Sequence, residues 1–221
     1  MKLILASQGF TSAEIAESVA KLVGKPMSDV NVAIINEAYV GISPGMHDGW
    51  LVDELSLITK YMKGVVSFVS LRAYDIKEVT RRLELADLIY IVGGAQAVLP
   101  GLFRETGFDG LLSRLASTKV IMGTSAGASV LGAQIEDPKY WQDQYGESEK
   151  YLAKSALGLV DFNIIPHFGR EDRPLRNAEK LIPLLSDNPF RLYGLNDSQA
   201  VIFDNDNIQF VGGEPIIFGK A

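Results

Sequence analysis

The sequence predicts an α/β fold in which a mostly parallel sheet lies between two layers of helices. Short runs rich in Val, Ile and Leu alternate along the chain with longer segments whose apolar residues recur at helical spacing. The short runs show no clean alternation of polar and apolar residues, which is typical of strands buried on both faces. Strand–helix alternation of this kind favours a parallel sheet covered by helices on each side.

The predicted elements follow one another in a regular order. Strands of the parallel sheet are expected at residues 2–6, 31–36, 65–71, 88–92 and 119–122. Helices are expected between them at 12–23, 48–62, 76–85 and 103–116, with Thr11 or Ser12 and Asp75 as N-caps. Beyond residue 167 the pattern predicts a helix at 174–185, a final parallel strand at 191–196, and an antiparallel ribbon of 200–203, 208–211 and 216–218.

The composition predicts one cytoplasmic domain, spanning residues 1–221, with no metal and no cofactor. The net charge is −6, from 27 acidic and 21 basic residues without a basic run, which disfavours nucleic acid or an anionic membrane as partner. The absence of cysteine excludes disulfides and a thiolate nucleophile, and it fits a reducing compartment. The apolar run at the N-terminus is too short for a signal peptide or a membrane span.

Residues that directly follow a strand are the candidates for a functional site, because open α/β sheets bind ligands outside the carboxyl ends of their strands. In segment 119–128, KVIMGTSAGA, a strand leads into G-x-S-x-G and then into small residues that can begin a helix. This pattern indicates a nucleophile elbow, in which glycines on both sides of Ser125 avoid collisions at a sharp turn. Ser125 is the predicted nucleophile, and the N–H of Ala126 is a predicted oxyanion donor. A glycine–serine turn without chemistry is the alternative.

A second junction is segment 89–96, IYIVGGAQ, where a buried strand ends in two glycines that leave the backbone open. Gly94 is the predicted second donor to the oxyanion, and Gln96 is a predicted substrate contact. An ordinary tight turn is the alternative. A phosphate-binding loop is disfavoured, because neither G-x-G-x-x-G nor G-x-x-x-x-G-K-[ST] is present.

A third junction, segment 162–170, ends an apolar run on a histidine. A serine nucleophile needs a base with a pKa near neutrality, and the chain has two histidines, His47 and His167. His47 falls in a segment rich in turn residues, whereas His167 follows a strand. We therefore predict that His167 is the base, with a packing or surface histidine as the alternative.

These motifs together resemble the peptidase E and cyanophycinase family of serine hydrolases. The resemblance rests on Gly123-Thr-Ser-Ala-Gly-Ala128, Val92-Gly-Gly94, Pro166-His-Phe168 and Gly194-Leu-Asn-Asp197-Ser-Gln-Ala200, and it extends over nearly the whole chain. It implies a three-layer, flavodoxin-like sheet, a Ser-His-acid triad and hydrolysis of bonds beside aspartate. Peptidase E removes an N-terminal aspartate from dipeptides, whereas cyanophycinase cleaves a β-aspartyl-arginine polymer. The family implies a monomer or a homodimer.

Several carboxylates could orient His167. The resemblance implies an acid between the serine and the histidine. Alignment with peptidase E places this acid near Tyr140, which is not acidic, whereas alignment with cyanophycinase places it on Asp143. Our choice is therefore Asp143. Asp197 is the rival, because it follows a predicted strand and would lie at the same edge of the sheet as the other two residues. The remaining candidates are Glu136, Asp137, Glu171 and Asp172.

Arginines after the predicted base favour an acidic substrate. Arg170, Arg173 and Arg176 follow His167 closely, and a guanidinium suits bidentate binding of a carboxylate. The alternative is that these arginines pair with neighbouring acidic residues. The leading prediction is a serine peptidase that hydrolyses small acidic substrates, namely aspartyl dipeptides, through a Ser-His-acid triad and an acyl-enzyme. An α/β esterase and a non-catalytic binding module on the same fold are the alternatives.

Overall fold

A seven-stranded sheet runs through the molecule. Its strands are β1 (Lys2–Ala6), β2 (Val32–Ile35), β3 (Val66–Phe68), β4 (Leu88–Ile91), β5 (Val120–Thr124), β8 (Ala200–Asp204) and β9 (Asn207–Val211). They lie side by side in the order β3-β2-β4-β5-β1-β8-β9. The computed structural model describes residues 1–41, 49–96, 98–145 and 156–220. The five strands from β3 to β1 are parallel, and β8 and β9 continue the sheet as an antiparallel pair.

A smaller sheet lies beside the first and consists of β6 (Asn163–Ile165), β7 (Leu192–Gly194) and β10 (Ile216–Phe218). Its strands have the order β10-β7-β6. Strands β6 and β7 are parallel, so their carboxyl ends lie together, whereas β10 runs antiparallel to β7. The residues that follow β6 and β7 are therefore brought to the same end of the small sheet.

Helices cover both faces of the large sheet and one face of the small sheet. They are α1 (Ala13–Val23), α2 (Gly49–Tyr61), α3 (Ile76–Glu84), α4 (Val98–Glu105), α5 (Phe108–Leu115), α6 (Ala126–Ser129), α7 (Pro138–Tyr145) and α8 (Ala178–Leu185). Helices α1 and α2 pack on one face of the large sheet, and α3, α4 and α5 pack on the other. The predicted three-layer α/β class is confirmed.

The helix ends follow from local sequence. The side chain of Ser12 accepts a hydrogen bond from the N–H of Ile15, and Asp75 accepts from the N–H groups of Lys77 and Glu78. These are the caps that the sequence predicts. Among the residues that the structure describes, no helix is both long enough and apolar enough to cross a bilayer.

The predicted helix at 103–116 and the predicted C-terminal strands differ from the observed elements. The helix expected at 103–116 is two helices, because Gly107 has a left-handed backbone with φ +71° and interrupts the helical hydrogen bonds. The C-terminal strands divide between the sheets: β8 and β9 extend the large sheet from β1, whereas β7 and β10 belong to the small one. The antiparallel ribbon is therefore β8–β9, and the expected final parallel strand, β7, is parallel to β6 instead of to the large sheet.

Candidate active site

The elbow that the G-x-S-x-G pattern predicts lies between β5 and α6. Ser125 has φ +51° and ψ −118°, an unusual conformation for a residue with a side chain. Glycine is required at positions 123 and 127, because other backbone atoms approach both positions closely. A Cβ on Gly123 would lie 2.2 Å from the carbonyl oxygen of Gly127, and a Cβ on Gly127 would lie 2.2 Å from that of Ile91. The Ser125 hydroxyl thus stands at the tip of a tight turn.

His167 connects Ser125 to a carboxylate. It lies two residues after β6, has φ +58°, and its side chain is 12% exposed. His167 Nε2 lies 2.9 Å from Ser125 Oγ, and His167 Nδ1 lies 2.6 Å from Asp197 Oδ1. Since the carboxylate accepts a hydrogen bond from Nδ1–H, Nε2 is left to accept the proton of the serine hydroxyl. The second histidine, His47, lies outside the described residues.

The choice of Asp143 as the orienting acid is corrected by this geometry. Asp143 lies on α7 and is ion-paired with Lys139. Helix α7 packs with Ile165 and Leu192 on one face of the small sheet, whereas Ile164 and the neighbouring large sheet lie on its other face. Asp197 follows β7, whose carboxyl end lies beside that of β6, and this parallel pairing brings it to the histidine.

The other carboxylates have different contacts. Asp137 accepts a hydrogen bond from the N–H of Tyr140 at the start of α7, and Asp172 is paired with Arg170. In the part of the chain that the structure describes, no hydrogen bond or ion pair joins Glu136 or Glu171 to the imidazole. Asp197, the rival in the sequence-based choice, is the carboxylate that contacts it.

Burial and charge set the ionisation of the site. Burial lowers the pKa of His167 below its ordinary value; Arg176 and Arg170 add to this effect, and Asp197 opposes it. Partial burial would raise the pKa of Asp197, but the hydrogen bonds from His167 and Ser7 and the charge of Arg170 together lower it. At neutral pH the imidazole is therefore a free base and its partner is a carboxylate.

The loop after β4 and the start of α6 both lie beside the serine. Gly93 packs directly against it, since a Cβ there would lie 2.9 Å from Ser125 Cβ. Gly94 has φ +135°, and a Cβ on it would lie 2.7 Å from the carbonyl oxygen of Ala38. Within the described residues, no hydrogen bond uses the N–H of Gly94 or Ala126. Their role as oxyanion donors stays a prediction.

The predicted substrate-binding side chains differ in their contacts with other residues of the chain. Arg170 makes two hydrogen bonds to Asp172, and its Nη1 lies 3.3 Å from Asp197 Oδ2. Arg173 is about half exposed, and its nearest acidic contact is Asp172 at 3.9 Å. Arg173 is therefore the predicted arginine that is most accessible to a substrate carboxylate.

Arg176 and Gln96 are buried instead. The guanidinium of Arg176 donates to Gln144 Oε1 across 2.9 Å and to the carbonyl oxygen of Pro166 across 2.8 Å. This arginine joins α7 to the residue before His167, and its contact with a substrate stays a prediction. Gln96 is 4% exposed and already interacts within the chain. Its contact with substrate stays a prediction.

Sequence reasoning missed Ser7. Its hydroxyl lies 3.0 Å from Asp197 Oδ1 and accepts the backbone N–H of His167 across 2.7 Å. The available signal was its position: Ser7 directly follows β1, at the same strand edge that pointed to the other site residues. Among the described residues, no group of three or more His, Asp or Glu side chains is placed to hold a metal ion.

A strained serine, a neutral imidazole and a carboxylate joined in series form the arrangement that serine hydrolases use. On a mostly parallel α/β sheet with a nucleophile elbow, this arrangement defines the class of the protein. Comparison with known proteins gives the family. The sequence profile of peptidase family S51 matches residues 3–211, and the chain belongs to this family. It is a serine peptidase, as the resemblance of its motifs to peptidase E implies.

Individual relatives agree with this assignment. The uncharacterized peptidase Lmo0363 of Listeria monocytogenes is 27% identical over 76% of this chain and 71% of its own. The uncharacterized peptidase PM1590 of Pasteurella multocida is 26% identical over 73% of this chain and 70% of its own.

Two solved structures share the fold. One is a protein provisionally described as peptidase E, from L. monocytogenes EGD-e, with a TM-score of 0.70 and 20% identity over 95% of this chain and 96% of its own. The other is a peptidase from an acI-B1 Actinobacterium, with a TM-score of 0.67 and 20% identity over 99% of this chain and 93% of its own.

Proposed function

We propose that this peptidase hydrolyses aspartyl dipeptides through an acyl-enzyme on Ser125, with His167 as base and Asp197 as the orienting acid. The observation that carries the proposal is the position of His167, 2.9 Å from Ser125 Oγ and 2.6 Å from Asp197 Oδ1. Both contacts are within the reach needed for proton transfer and for orientation of the base.

The proposed reaction has two halves. His167 Nε2 takes the proton of Ser125 as Oγ attacks the peptide carbonyl, and the N–H groups of Gly94 and Ala126 bind the oxyanion. His167 then gives its proton to the departing amine. A water molecule then attacks the acyl ester and gives a proton to Nε2. As the bond between the acyl carbon and Ser125 Oγ breaks, Nε2 returns this proton to Oγ, which restores the serine and releases the acid product. Asp197 stays ionised and stabilises the imidazolium in both halves.

Local charge supports an acidic substrate. Arg173 is about half exposed in the loop after His167, and its contact with Asp172 is long, at 3.9 Å. An exposed pairing of this length is weak, so a substrate carboxylate can compete for the guanidinium. We assign Arg173 to the aspartyl side chain or the α-carboxylate of the substrate. The chain has no cysteine, and a reducing, cytoplasmic setting is part of the proposal.

The test is hydrolysis of matched Asp-X and Asn-X dipeptides, with β-aspartyl-arginine and p-nitrophenyl acetate alongside, by the wild type and Ser125→Ala. We expect Asp-X to be preferred and its turnover to be lost in Ser125→Ala. Ser125-dependent turnover of the ester alone would overturn the dipeptide proposal. Preference for β-aspartyl-arginine would move the substrate class toward isopeptides.

A second arm tests the arginine. Arg173→Met is expected to raise KM for Asp-X by about 10- to 100-fold, because a charge-assisted hydrogen bond to the substrate is lost. Little change for Asn-X would assign the guanidinium to the aspartyl side chain, and an equal rise would assign it to the α-carboxylate. Arg191→Met makes the same charge change at the amino end of β7, away from the site, and serves as the control. If Arg173→Met and Arg191→Met changed KM equally, Arg173 would not be a substrate-binding residue.

A further inference from the structure

The hydroxyl of Ser7 contacts two members of the proposed triad without belonging to it. Ser7 is fully buried at the carboxyl end of β1. It accepts the backbone N–H of His167 across 2.7 Å, and its Oγ lies 3.0 Å from Asp197 Oδ1 and 3.2 Å from the carbonyl oxygen of Leu195. A serine hydroxyl has one proton to donate. The carboxylate is the nearer acceptor and, being charged, the stronger one.

These contacts close a ring of hydrogen bonds. Asp197 Oδ1, which accepts from the Ser7 hydroxyl, also accepts from His167 Nδ1 at 2.6 Å. The main chain of His167 is thus bonded to Ser7, Ser7 to the carboxylate, and the carboxylate back to the imidazole of the same histidine. A ring of this kind restricts the imidazole relative to its own backbone, and therefore restricts the direction of Nε2.

The backbone of His167 needs such support. Its φ of +58° lies in the left-handed region, which residues with a side chain occupy only when neighbouring contacts hold them there. Ser7 supplies the acceptor for its N–H, and the N–H of Phe168 donates to the carbonyl oxygen of Leu195 across 2.8 Å.

A competitor for the carboxylate lies nearby. Arg170 Nη1 is 3.3 Å from Asp197 Oδ2 and 3.3 Å from His167 Nδ1. A guanidinium attracts a carboxylate at this distance, and without a second bond on Oδ1 the carboxylate can turn toward Arg170. The Ser7 hydroxyl opposes that rotation because it binds the same oxygen as the imidazole.

We propose that Ser7 is a positioning residue of the peptidase reaction, which holds Asp197 Oδ1 on His167 and so directs Nε2 at Ser125. This inference rests on the proposed function, because it assigns Ser7 a part in the same reaction. It predicts a defect in turnover more than in substrate binding, since Ser7 has no access to the substrate.

Steady-state kinetics of Ser7→Ala and Ser7→Cys test the proposal. Cysteine keeps the shape of the side chain, with a somewhat larger terminal atom, but replaces the hydroxyl by a weak sulfur donor. We expect kcat to fall about 10- to 100-fold in both, as for a slightly misplaced base, with KM within about threefold of the wild type. Ser129→Ala is the control: it removes another buried hydroxyl, one that donates to the carbonyl oxygen of Ser125 across 3.2 Å.

Nuclear magnetic resonance of the imidazole gives a readout that does not depend on turnover. In a His47→Gln background His167 is the sole histidine. We expect Ser7→Ala to lower the pKa of His167 further, because Asp197 shifts toward Arg170, and to mix the Nδ1–H and Nε2–H tautomers. Arg176, the other charge that acts on this imidazole, is unchanged in the comparison.

The kinetic and NMR measurements together test the role of Ser7 separately from the proposed peptide substrate. Unchanged kcat in folded Ser7→Ala and Ser7→Cys, or a loss no larger than that of Ser129→Ala, would overturn the role of Ser7. An unchanged pKa and tautomer would overturn it as well, even if no peptide is turned over. Wild-type protein without Ser125-dependent turnover, but with the expected change in the imidazole, would contradict the peptide substrate and leave the positioning of His167 by Ser7 supported.

Discussion

Asp197 and Asp143 provide a matched pair of substitutions at the residue scale. Asp197→Asn replaces the carboxylate that accepts from His167 Nδ1 by a neutral amide, which no longer favours the required tautomer. We expect kcat to fall about 10³- to 10⁴-fold, the effect of the equivalent change in other Ser-His-Asp enzymes. Asp143→Asn removes only an ion pair on α7 and is expected to keep kcat within about twofold. A larger fall in kcat for Asp143→Asn than for Asp197→Asn would indicate that Asp143 is the orienting acid.

The lowered pKa of His167 predicts the acid side of the pH profile. Only the neutral imidazole can take the serine proton, so kcat/KM should rise with pH and level off once His167 is deprotonated. Because burial lowers this pKa, the midpoint should lie below the ordinary value of 6.5. A profile of kcat/KM from pH 4.5 to 8 measures it, and a midpoint above 6.5 would contradict the role assigned to burial.

Site residues at strand ends were the most predictable from sequence. Ser125 and His167 each follow an apolar run, and the strand-edge rule also placed Asp197 among the candidates. The wrong choice, Asp143, came from aligning the chain with a family register, which carries no information on where α7 packs. Ser7 was missed because a single serine after a strand has no spacing pattern, and its bonds join residues about 160 and 190 positions away.

At the scale of elements, the junction of β5 and α6 depends on glycine. A Cβ on Gly127 would lie 2.2 Å from the carbonyl oxygen of Ile91, and backbone cannot move aside as a side chain can. Gly127→Ala is therefore expected to lower the free energy of unfolding by at least about 1–3 kcal/mol, the usual cost of overpacking, and to displace the elbow. Denaturant unfolding measures the change.

Gly101 provides the control, because it lies inside α4 and a Cβ there meets nothing within 4 Å. Gly101→Ala should stabilise the protein by roughly 0.5–1 kcal/mol, since alanine loses less backbone freedom in a helix. If Gly127→Ala were as stable as Gly101→Ala, the close approach of α6 to β4 would not exist in solution.

Elements were predicted well where the pattern is local. Apolar runs located the parallel strands, and Ser12 and Asp75 cap their helices as expected. The break at Gly107 was missed because a glycine in a helical pattern is tolerated or disruptive according to its surroundings. The pairing of β7 with β6 depends on contacts between distant segments, so the pattern alone could not assign β7 to the small sheet.

At the scale of the whole molecule, a buried acid outside the active site makes stability depend on pH. Glu54 on α2 is 8% exposed and accepts a hydrogen bond from the Tyr90 hydroxyl across 2.6 Å. Burial raises its pKa from 4.5 to about 7, although the bond from Tyr90 opposes the rise. The folded protein therefore holds a proton on Glu54 that the unfolded chain releases at lower pH.

The raised pKa of Glu54 determines whether stability rises or falls with pH. The contribution of Glu54 is fully present below pH 4.5 and is lost as pH rises through about 7. Relative to Glu54→Gln, the wild type should lose on the order of 3 kcal/mol of unfolding free energy over this range. The comparison cancels the opposite contribution of His167, which both proteins share. Exposed Glu17→Gln should follow the wild type, and a wild-type curve parallel to that of Glu54→Gln would contradict the raised pKa.

The central claim is that Ser125 is a nucleophile activated by His167 and Asp197, and covalent labelling tests it most directly. The wild type would be treated with a fluorophosphonate, and the site of modification located by peptide mass spectrometry. We expect one adduct, on the peptide that contains Ser125, and much slower labelling of His167→Ala and Asp197→Asn. No adduct, or labelling of Ser125 at the same rate in all three proteins, would contradict the account.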